Sequence, residues 1–168
     1  HEAGGKIAMQ ILHAGRYSYG PKCVAPSPVK SPISPFPPNE LDEEGIEKQI
    51  TEECREELEQ GIHPEEGPIV FAREGWHPGV VGIVAARMVD LVHRPVWILC
   101  IDGDIARGSG RSIQALPLSD LYDEMSEVVE KVGGHAAAGG MTIKSERIEQ
   151  LREVLARYQA RPEVSDEI

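Results

Sequence analysis

The sequence predicts an α/β fold, a mixed sheet flanked by helices, over residues 67–161. Three observations carry that reading. Pro95-Val-Trp-Ile-Leu-Cys-Ile101 is an unbroken apolar run, as expected of a strand in a sheet covered on both faces. Pro68-Ile-Val-Phe-Ala72 is a second, shorter strand, and the stretch between the two has helical character. Turn-marked strand and helix patterns then alternate to the end of the segment. Hydrophobic residues make up 40% of the 168, enough for a core, although aromatics are only 5%.

Taken in order, Lys6–Leu12 reads as a strand with Ile7, Met9 and Ile11 on one face and Ala8, Gln10 and Leu12 on the other. His13-Ala-Gly-Arg16 ends it. Seven prolines between Pro21 and Pro38 exclude both a helix and a central strand. Residues 41–60 read as a helix closed by Gly61, with one narrow apolar stripe of Ile46, Ile50, Cys54 and Leu58.

After the strand at 68–72, Pro78 suits the first turn of a helix, which is apolar almost all round except for Arg87 and Asp90 and is therefore expected to be buried. Gly79, Gly82 and Ala86 would let a backbone approach it closely. The start of such a helix offers free N–H groups to a phosphate, with His77 beside them. His-Pro before a helix also reads as a simple cap.

Asp102-Gly103 marks a tight turn, and Ile105–Ser112 returns as a strand. Gly108 and Gly110 allow close backbone approach there, between Arg107 and Arg111. The Arg111 fork suits a phosphate, and suits equally a solvent-facing strand position. Ser119 or Asp120 would cap a helix carrying Leu121, Met125, Val128, Val129 and Val132. A short strand around Met141–Ile143 and a last helix from Ser145, with Ile148, Leu151, Leu155 and Tyr158 inward, complete the body.

Between those last two helical patterns lies Gly133-Gly-His-Ala-Ala-Ala-Gly-Gly140. Gly133 and Gly134 free the backbone just ahead of His135, and the small residues that follow bring bare N–H groups within reach of an anion or a sugar. His135 is placed to donate to it. A glycine C-cap followed by a tight connection fits the same octet.

Net charge is −11, but it is unevenly spread. Residues 1–39 carry +3, residues 40–66 carry −10, residues 67–161 carry −1 and the tail 162–168 carries −3. The main body is thus near neutral, and overall acidity does not exclude a nucleic-acid partner. Cys23, Cys54 and Cys100 share no metal-ligand spacing and read as free thiols, which suggests a reducing, cytoplasmic setting. No run reaches the length of a membrane span, so no membrane partner is expected. The chain starts at His1 without a methionine and reads as a fragment. The expected organisation is an arm at 1–45, an acidic linker helix at 46–66, the α/β body at 67–161 and an acidic tail at 162–168.

Gly75-Trp-His-Pro-Gly-Val-Val-Gly-Ile-Val-Ala85, Gly108-Ser-Gly-Arg-Ser112 and Gly133-Gly-His135 together resemble the RecJ single-strand-specific exonucleases, over roughly residues 46–160. The matching part is the DHH-associated, substrate-binding domain of the DHH phosphoesterases. The resemblance implies that Arg111, Ser112 and His135 contact a phosphate or sugar, with Gly110, Gly133, Gly134 and His77 completing the site. The hydrolytic half of that family holds Mn²⁺ with Asp and His ligands, one set being Asp-His-His. No Asp-His-His occurs here, and histidines 1, 13, 63, 77, 93 and 135 form no such cluster in sequence. No catalytic residue, metal site or cofactor is therefore expected in this chain, and the module is expected to be inactive alone.

Gly5-Lys-Ile-Ala-Met-Gln-Ile-Leu-His-Ala-Gly-Arg-Tyr-Ser-Tyr19 and Val24-Ala-Pro-Ser27 resemble a different family, the old yellow enzymes, in their dienoyl-CoA reductase branch. Those are FMN-dependent (β/α)₈ barrels, and Gln10 matches the glutamine that contacts the flavin. One strand–helix unit cannot close a barrel of eight, so Gln10 is expected to be vestigial and flavin-free. The two resemblances meet near residues 42–50, and the chain reads as a chimera.

Three functions remain open on this basis. One is a weak binding module for single-stranded DNA or a short oligonucleotide, from a RecJ-like exonuclease and lacking its metal-binding catalytic domain. Another is a fragment of a flavin-dependent ene-reductase. The third is a structural chimera retaining neither function.

Overall fold

The computed structural model describes residues 42–158, together with two short backbone segments ahead of them. Lys6–Leu12 with Gln10 and the tail 162–168 lie outside the described residues. The chain forms two compact units, residues 1–46 and 47–168. In the first, β1 (Val24–Ala25) pairs in parallel with β2 (Asn39–Glu40).

Helix α1 (Glu43–Glu59) lies within the expected 41–60 and starts two residues later. Asp42 caps it, its Oδ1 accepting the Gly45 N–H at 2.8 Å, and Glu43 and Glu44 place negative charge in the first turn. Ile50 and Cys54 of the narrow apolar stripe are buried and Leu58 is half-buried.

The second unit holds β3 (Ile69–Glu74), α2 (Val81–Val92), β4 (Val96–Asp102), β5 (Ile105–Arg111), α3 (Tyr122–Met125), β6 (Lys131–Gly134), β7 (Ala138–Lys144) and α4 (Ile148–Leu155). Five strands form one sheet in the order β3-β4-β5-β7-β6. The β3–β4 pair is parallel, joined by the α2 crossover, and the other pairs are antiparallel, so the sheet is mixed.

Alternation sorts the strands onto two faces. Val70, Trp97, Leu99, Ala106, Met141 and Ile143 share one core with Leu118, Leu121 and Met125 and with Ile148, Leu151 and Leu155 of α4. The opposite face carries Ile69, Phe71 and Ile98, all buried. Here α2 packs on β4 and β5, burying Val81, Val84, Ala85, Met88 and Val89.

Several expectations need correction. Helix α2 begins at Val81, not Pro78, because the His77 side chain and carbonyl hold residues 77–80 in a separate turn. It is also amphipathic rather than buried all round, with Ile83 51% and Leu91 46% exposed. The helix expected to run through Val132 is instead a 3₁₀ turn at Leu118–Asp120 followed by the four residues of α3. Leu121, not Ser119 or Asp120, occupies the N-cap position of α3, and Val132 lies in β6. Packing decides this: Leu118, Leu121, Met125 and Val128 all reach the core through successive short turns. The strand expected at Met141–Ile143 spans Ala138–Lys144, and the last α-helix follows a 3₁₀ turn at Ser145–Arg147. No described helix is long and apolar enough to cross a membrane.

A polar network holds α1 against β3. Arg73 donates from Nη1 to Glu53 Oε2 at 2.9 Å and from Nη2 to Glu57 Oε1 at 2.8 Å. His63 Nε2 lies 3.3 Å from Glu57 Oε2, and its ring meets Phe71 edge-on. Burial alone would raise the Glu57 carboxyl, but the His63 hydrogen bond and the Arg73 charge outweigh it and leave the group below its ordinary value. A depressed carboxyl contributes stability that is complete above the ordinary pKa, about 4.3, and is lost as pH falls through the lowered value. The urea midpoint is therefore expected to drop steeply below about pH 4, and Glu57→Gln to flatten that limb. An unchanged acid limb in the variant would contradict this.

Both described cysteines, Cys54 and Cys100, are unpaired and buried. Burial pushes Cys100 up to about 11 and, with Glu57 and Glu53 beside it, raises Cys54 further. They are packing residues in the protonated form, not nucleophiles.

Candidate nucleic-acid interface

The glycine octet is a β-hairpin rather than the loop expected. Gly133 and Gly134 end β6, Gly139 and Gly140 lie in β7, and the His135 N–H donates to the Ala138 carbonyl at 2.8 Å across the Ala136-Ala137 turn. Gly134 adopts φ +148°, and a Cβ there would stand 2.4 Å from the Ala138 carbonyl oxygen. Tyr122 fastens the turn, its hydroxyl donating to the His135 carbonyl at 3.0 Å. Burial pushes the Tyr122 phenol above its ordinary value, which keeps that donor protonated.

The register aligns the candidate residues. Ser109 of β5 faces Gly140 of β7, which faces Gly133 of β6, while Arg111 faces Ala138. Ser109 and Arg111 project toward α2, because a Cβ on Gly82 would meet Arg111 Nη2 at 3.0 Å and Ser109 Oγ at 3.7 Å. Gly133 and Gly140 lie on that same face by alternation. Both are exposed, and a Cβ on Gly133 would meet nothing within 4 Å. The result is a strip of bare backbone beyond the edge of α2, bordered by the Arg111 guanidinium. On the opposite face Gly110 and Gly139 lie against the buried Trp97 ring, which supports the strip from beneath.

Arg111 is half-buried, and its Nη1 donates to the Gly110 carbonyl at 2.8 Å. No described carboxylate pairs with it. Ser112 joins the hairpin through its N–H, which donates to Ala137 O at 3.0 Å. Its hydroxyl proton is directed to the Leu116 carbonyl, so toward an anion it presents lone pairs unless the hydroxyl rotates. His135 is exposed.

His77 differs from its expected arrangement. Its Nδ1 accepts the Gly79 N–H at 3.1 Å, so one of the N–H groups expected to be open to a phosphate is engaged. That bond places the ring proton on Nε2, which becomes the donor His77 offers outward. Arg111 thus lies beside the first turn of α2, and Ser112 beside the hairpin turn.

Two further arginines of the body are committed elsewhere. Arg87 Nε pairs with Glu47 Oε1 at 2.5 Å, and Arg94 donates to the Pro64 carbonyl at 2.8 Å. The register supplies a different cation. Arg107 faces Thr142, which faces Lys131, one alternation step along from the glycine strip. Arg107 and Lys131 are both exposed on the glycine face. Lys131 is hidden from the sequence because Leu121, Met125, Val128, Val129 and Val132 around it fit a helical pattern. An alternating pattern from Lys131 through Gly133 was the available signal.

Gly82 provides a test that separates fold from site. Alanine there is a better helix former by up to about 1 kcal/mol, and the atom it crowds is the tip of a mobile side chain. Gly82→Ala is therefore expected to leave the urea midpoint unchanged or raised. Gly82→Leu, whose side chain extends into the space of the guanidinium, is expected to weaken anion binding as much as loss of Arg111 itself. Unchanged phosphate or oligonucleotide affinity in Gly82→Leu would contradict the placement.

Residues 66–161 match the model of the DHHA1 domain. The single-stranded-DNA-specific exonuclease RecJ of Bacillus subtilis (strain 168) is 41% identical over 121 residues, covering 67% of this chain and 15% of that protein. Its namesake in Escherichia coli (strain K12) is 34% identical over 123 residues, covering 65% of this chain and 21% of that protein. Among solved structures, RecJ from Thermus thermophilus in complex with Mg²⁺ has the same fold, with a TM-score of 0.53 at 24% identity over 68% of this chain and 18% of that one. The chain thus spans about a sixth to a fifth of the length of these curated relatives. With the family model covering more than half of its length, the chain belongs to the DHHA1 domain family.

Proposed function

We propose that the module of residues 67–161 holds the backbone of a single-stranded nucleic acid for a RecJ-type exonuclease. The observation that carries this is the register that sets Arg111, Ser109, Gly140 and Gly133 on one face of the sheet, with the exposed glycines bare of side chains. Arg111 offers a fork for one phosphate, and His135 and His77 Nε2 add donors at either side. Gly133 and Gly140 let the strand lie close to the backbone, Gly110 supports that strip from the Trp97 side, Gly134 shapes the hairpin, and Ser112 anchors the hairpin beside it. Arg107 and Lys131 extend the positive edge by one step along β5 and β6. Bare backbone and few cations suit a partner recognised by its repeating phosphates rather than by its bases.

Among the described residues no group of three or more His, Cys, Asp or Glu side chains could hold a metal ion. A metal site of the kind implied by the exonuclease family does not fit these residues, and no hydrolytic step is assigned to them. Residues 1–45, with their likeness to a flavin reductase and with Gln10, have no part in strand binding in this reading. The join of two ancestries near residues 42–50 is our reading of the sequence alone.

A fluorescent thymidine decamer titrated at two salt concentrations tests the proposal. Two or three phosphate contacts give a log–log salt slope of about −1.4 to −2.1 and a dissociation constant of roughly 10⁻⁴–10⁻⁶ M at physiological salt. Lys30→Ala, on the arm, is expected to leave both unchanged. Salt-independent binding, or loss of binding in Lys30→Ala, would place the site elsewhere.

A further inference from the structure

We propose that the acidic helix α1 positions the His77 loop, with Glu53 acting through Trp76, so that the segment entering the module tunes how well the site holds a phosphate strand. This rests on the strand-binding reading above. At the end of β3, Gly75 with φ +81° swings the chain off the sheet. Trp76 follows, only 7% exposed, and its indole N–H donates to Glu53 Oε2 at 2.7 Å. The same oxygen accepts Arg73 Nη1 at 2.9 Å, and the other Glu53 oxygen accepts Gln49 Nε2 at 3.0 Å. The Arg73 guanidinium lies 5.7 Å from the centre of the Trp76 ring. Glu53 is therefore held by two donors, Arg73 and Gln49, while it holds Trp76.

On the far side of the loop, Val80 is buried and α2 begins. Residues 77–79 are exposed and span the gap between these two anchors. A loop this short, pinned at both ends, has little freedom in where it presents His77. Helix α1 grips both flanks, because Glu47 pairs with Arg87 of α2 at 2.5 Å while Glu53 and Glu57 hold Arg73 and Trp76 at the β3 side. The acidic helix, whose charge would repel a nucleic-acid strand, has these carboxylates neutralised by arginines and used as a clamp. Without Glu53 the buried Trp76 ring loses the acceptor that fixes its orientation, the β3-side anchor loosens, and ordering the loop on ligand binding then costs conformational entropy.

The test uses the full chain and a fluorescein-labelled thymidine decamer. Glu53→Ala is expected to weaken binding about fivefold, within the range of couplings between contacting residues. Glu53→Gln keeps an oxygen acceptor for the indole and is expected to stay within about twofold. The Trp76 indole resonance in a ¹H–¹⁵N spectrum should move in the alanine variant and return near its original position in the glutamine one. In a His77→Ala background, Glu53→Ala should cost nothing further. Equal cost in both backgrounds, or unchanged affinity despite a shifted indole resonance, would overturn the proposal. If Glu53→Ala loses its dispersed spectrum, Trp76→Phe, which removes the N–H and retains a ring, replaces it in the same cycle. Arg111→Ala separates the two levels. Undiminished binding there overturns the strand site itself, whereas weakened binding with an additive Glu53–His77 cycle overturns only the positioning role.

Discussion

Arg111→Ala is expected to remove most of the affinity for a single strand while leaving the fold intact. A charge-assisted hydrogen bond contributes about 1.5–3 kcal/mol, so its loss corresponds to roughly a tenfold to hundredfold rise in Kd. The salt slope should fall by about 0.7, the share of one phosphate on a single strand. Stability should barely change, because among the described residues the guanidinium's one hydrogen bond is to the carbonyl of Gly110, its own neighbour. Arg111→Lys is expected to recover only part of the loss, since an ammonium cannot form the planar two-point contact. Titration of the variant with the thymidine decamer, beside a urea curve, checks both halves. Affinity within twofold of the parent would remove Arg111 from the site.

Gly108→Ala is expected to produce the opposite outcome, a damaged fold with the binding groups still present. A Cβ at Gly108 would stand 1.8 Å from the Ile98 carbonyl oxygen and 2.8 Å from Leu99 Cα. Both are backbone atoms of β4, the strand whose residues Val96–Leu99 are all fully buried, so neither can step aside cheaply. Overpacking a core costs about 1–3 kcal/mol, and a clash against fixed backbone belongs at or above the upper end. The urea midpoint should fall accordingly. Gly133→Ala is the informative contrast. Its Cβ would enter open space, so stability should hold while the added methyl group stands on the bare strip where the strand would lie.

Much of this architecture was legible in the sequence where burial dictates a pattern. The β4 run reads as a doubly covered strand because five consecutive residues, Val96–Cys100, are buried. The α4 stripe of Ile148, Leu151 and Leu155 reads as a helix face because all three reach the core. Legibility failed between residues 118 and 140. Leu118, Leu121, Met125 and Val128 fall at near-helical spacing, yet they are delivered to the core by successive tight turns, which periodicity does not distinguish from a helix. The glycine octet was misread as a loop for a related reason: Gly133, Gly134, Gly139 and Gly140 carry no side-chain alternation, so nothing in them announces a strand.

The candidate site was legible by residue type and not by arrangement. Arg111, His77 and the glycines were recognisable as ligand-type residues. Their alignment depends on the β5–β7–β6 register and on Gly82 making room for the guanidinium, neither of which a local pattern records. Lys131 was hidden with the strand that carries it. The commitment of Arg87 and Arg94 is equally invisible to local patterns, because their partners, Glu47 and the Pro64 carbonyl, are 40 and 30 residues away in sequence.

The most direct test of strand binding on the glycine face is a map of backbone amide shifts in a ¹H–¹⁵N spectrum during titration with the thymidine decamer. Saturable shifts are expected at Gly79–Gly82, Ser109–Ser112 and Gly133–Ala138, with smaller ones at Arg107 and Lys131 and none at α4. Shifts confined to α1 and the outer edge of β3, or no saturable shift at millimolar oligonucleotide, would contradict the account.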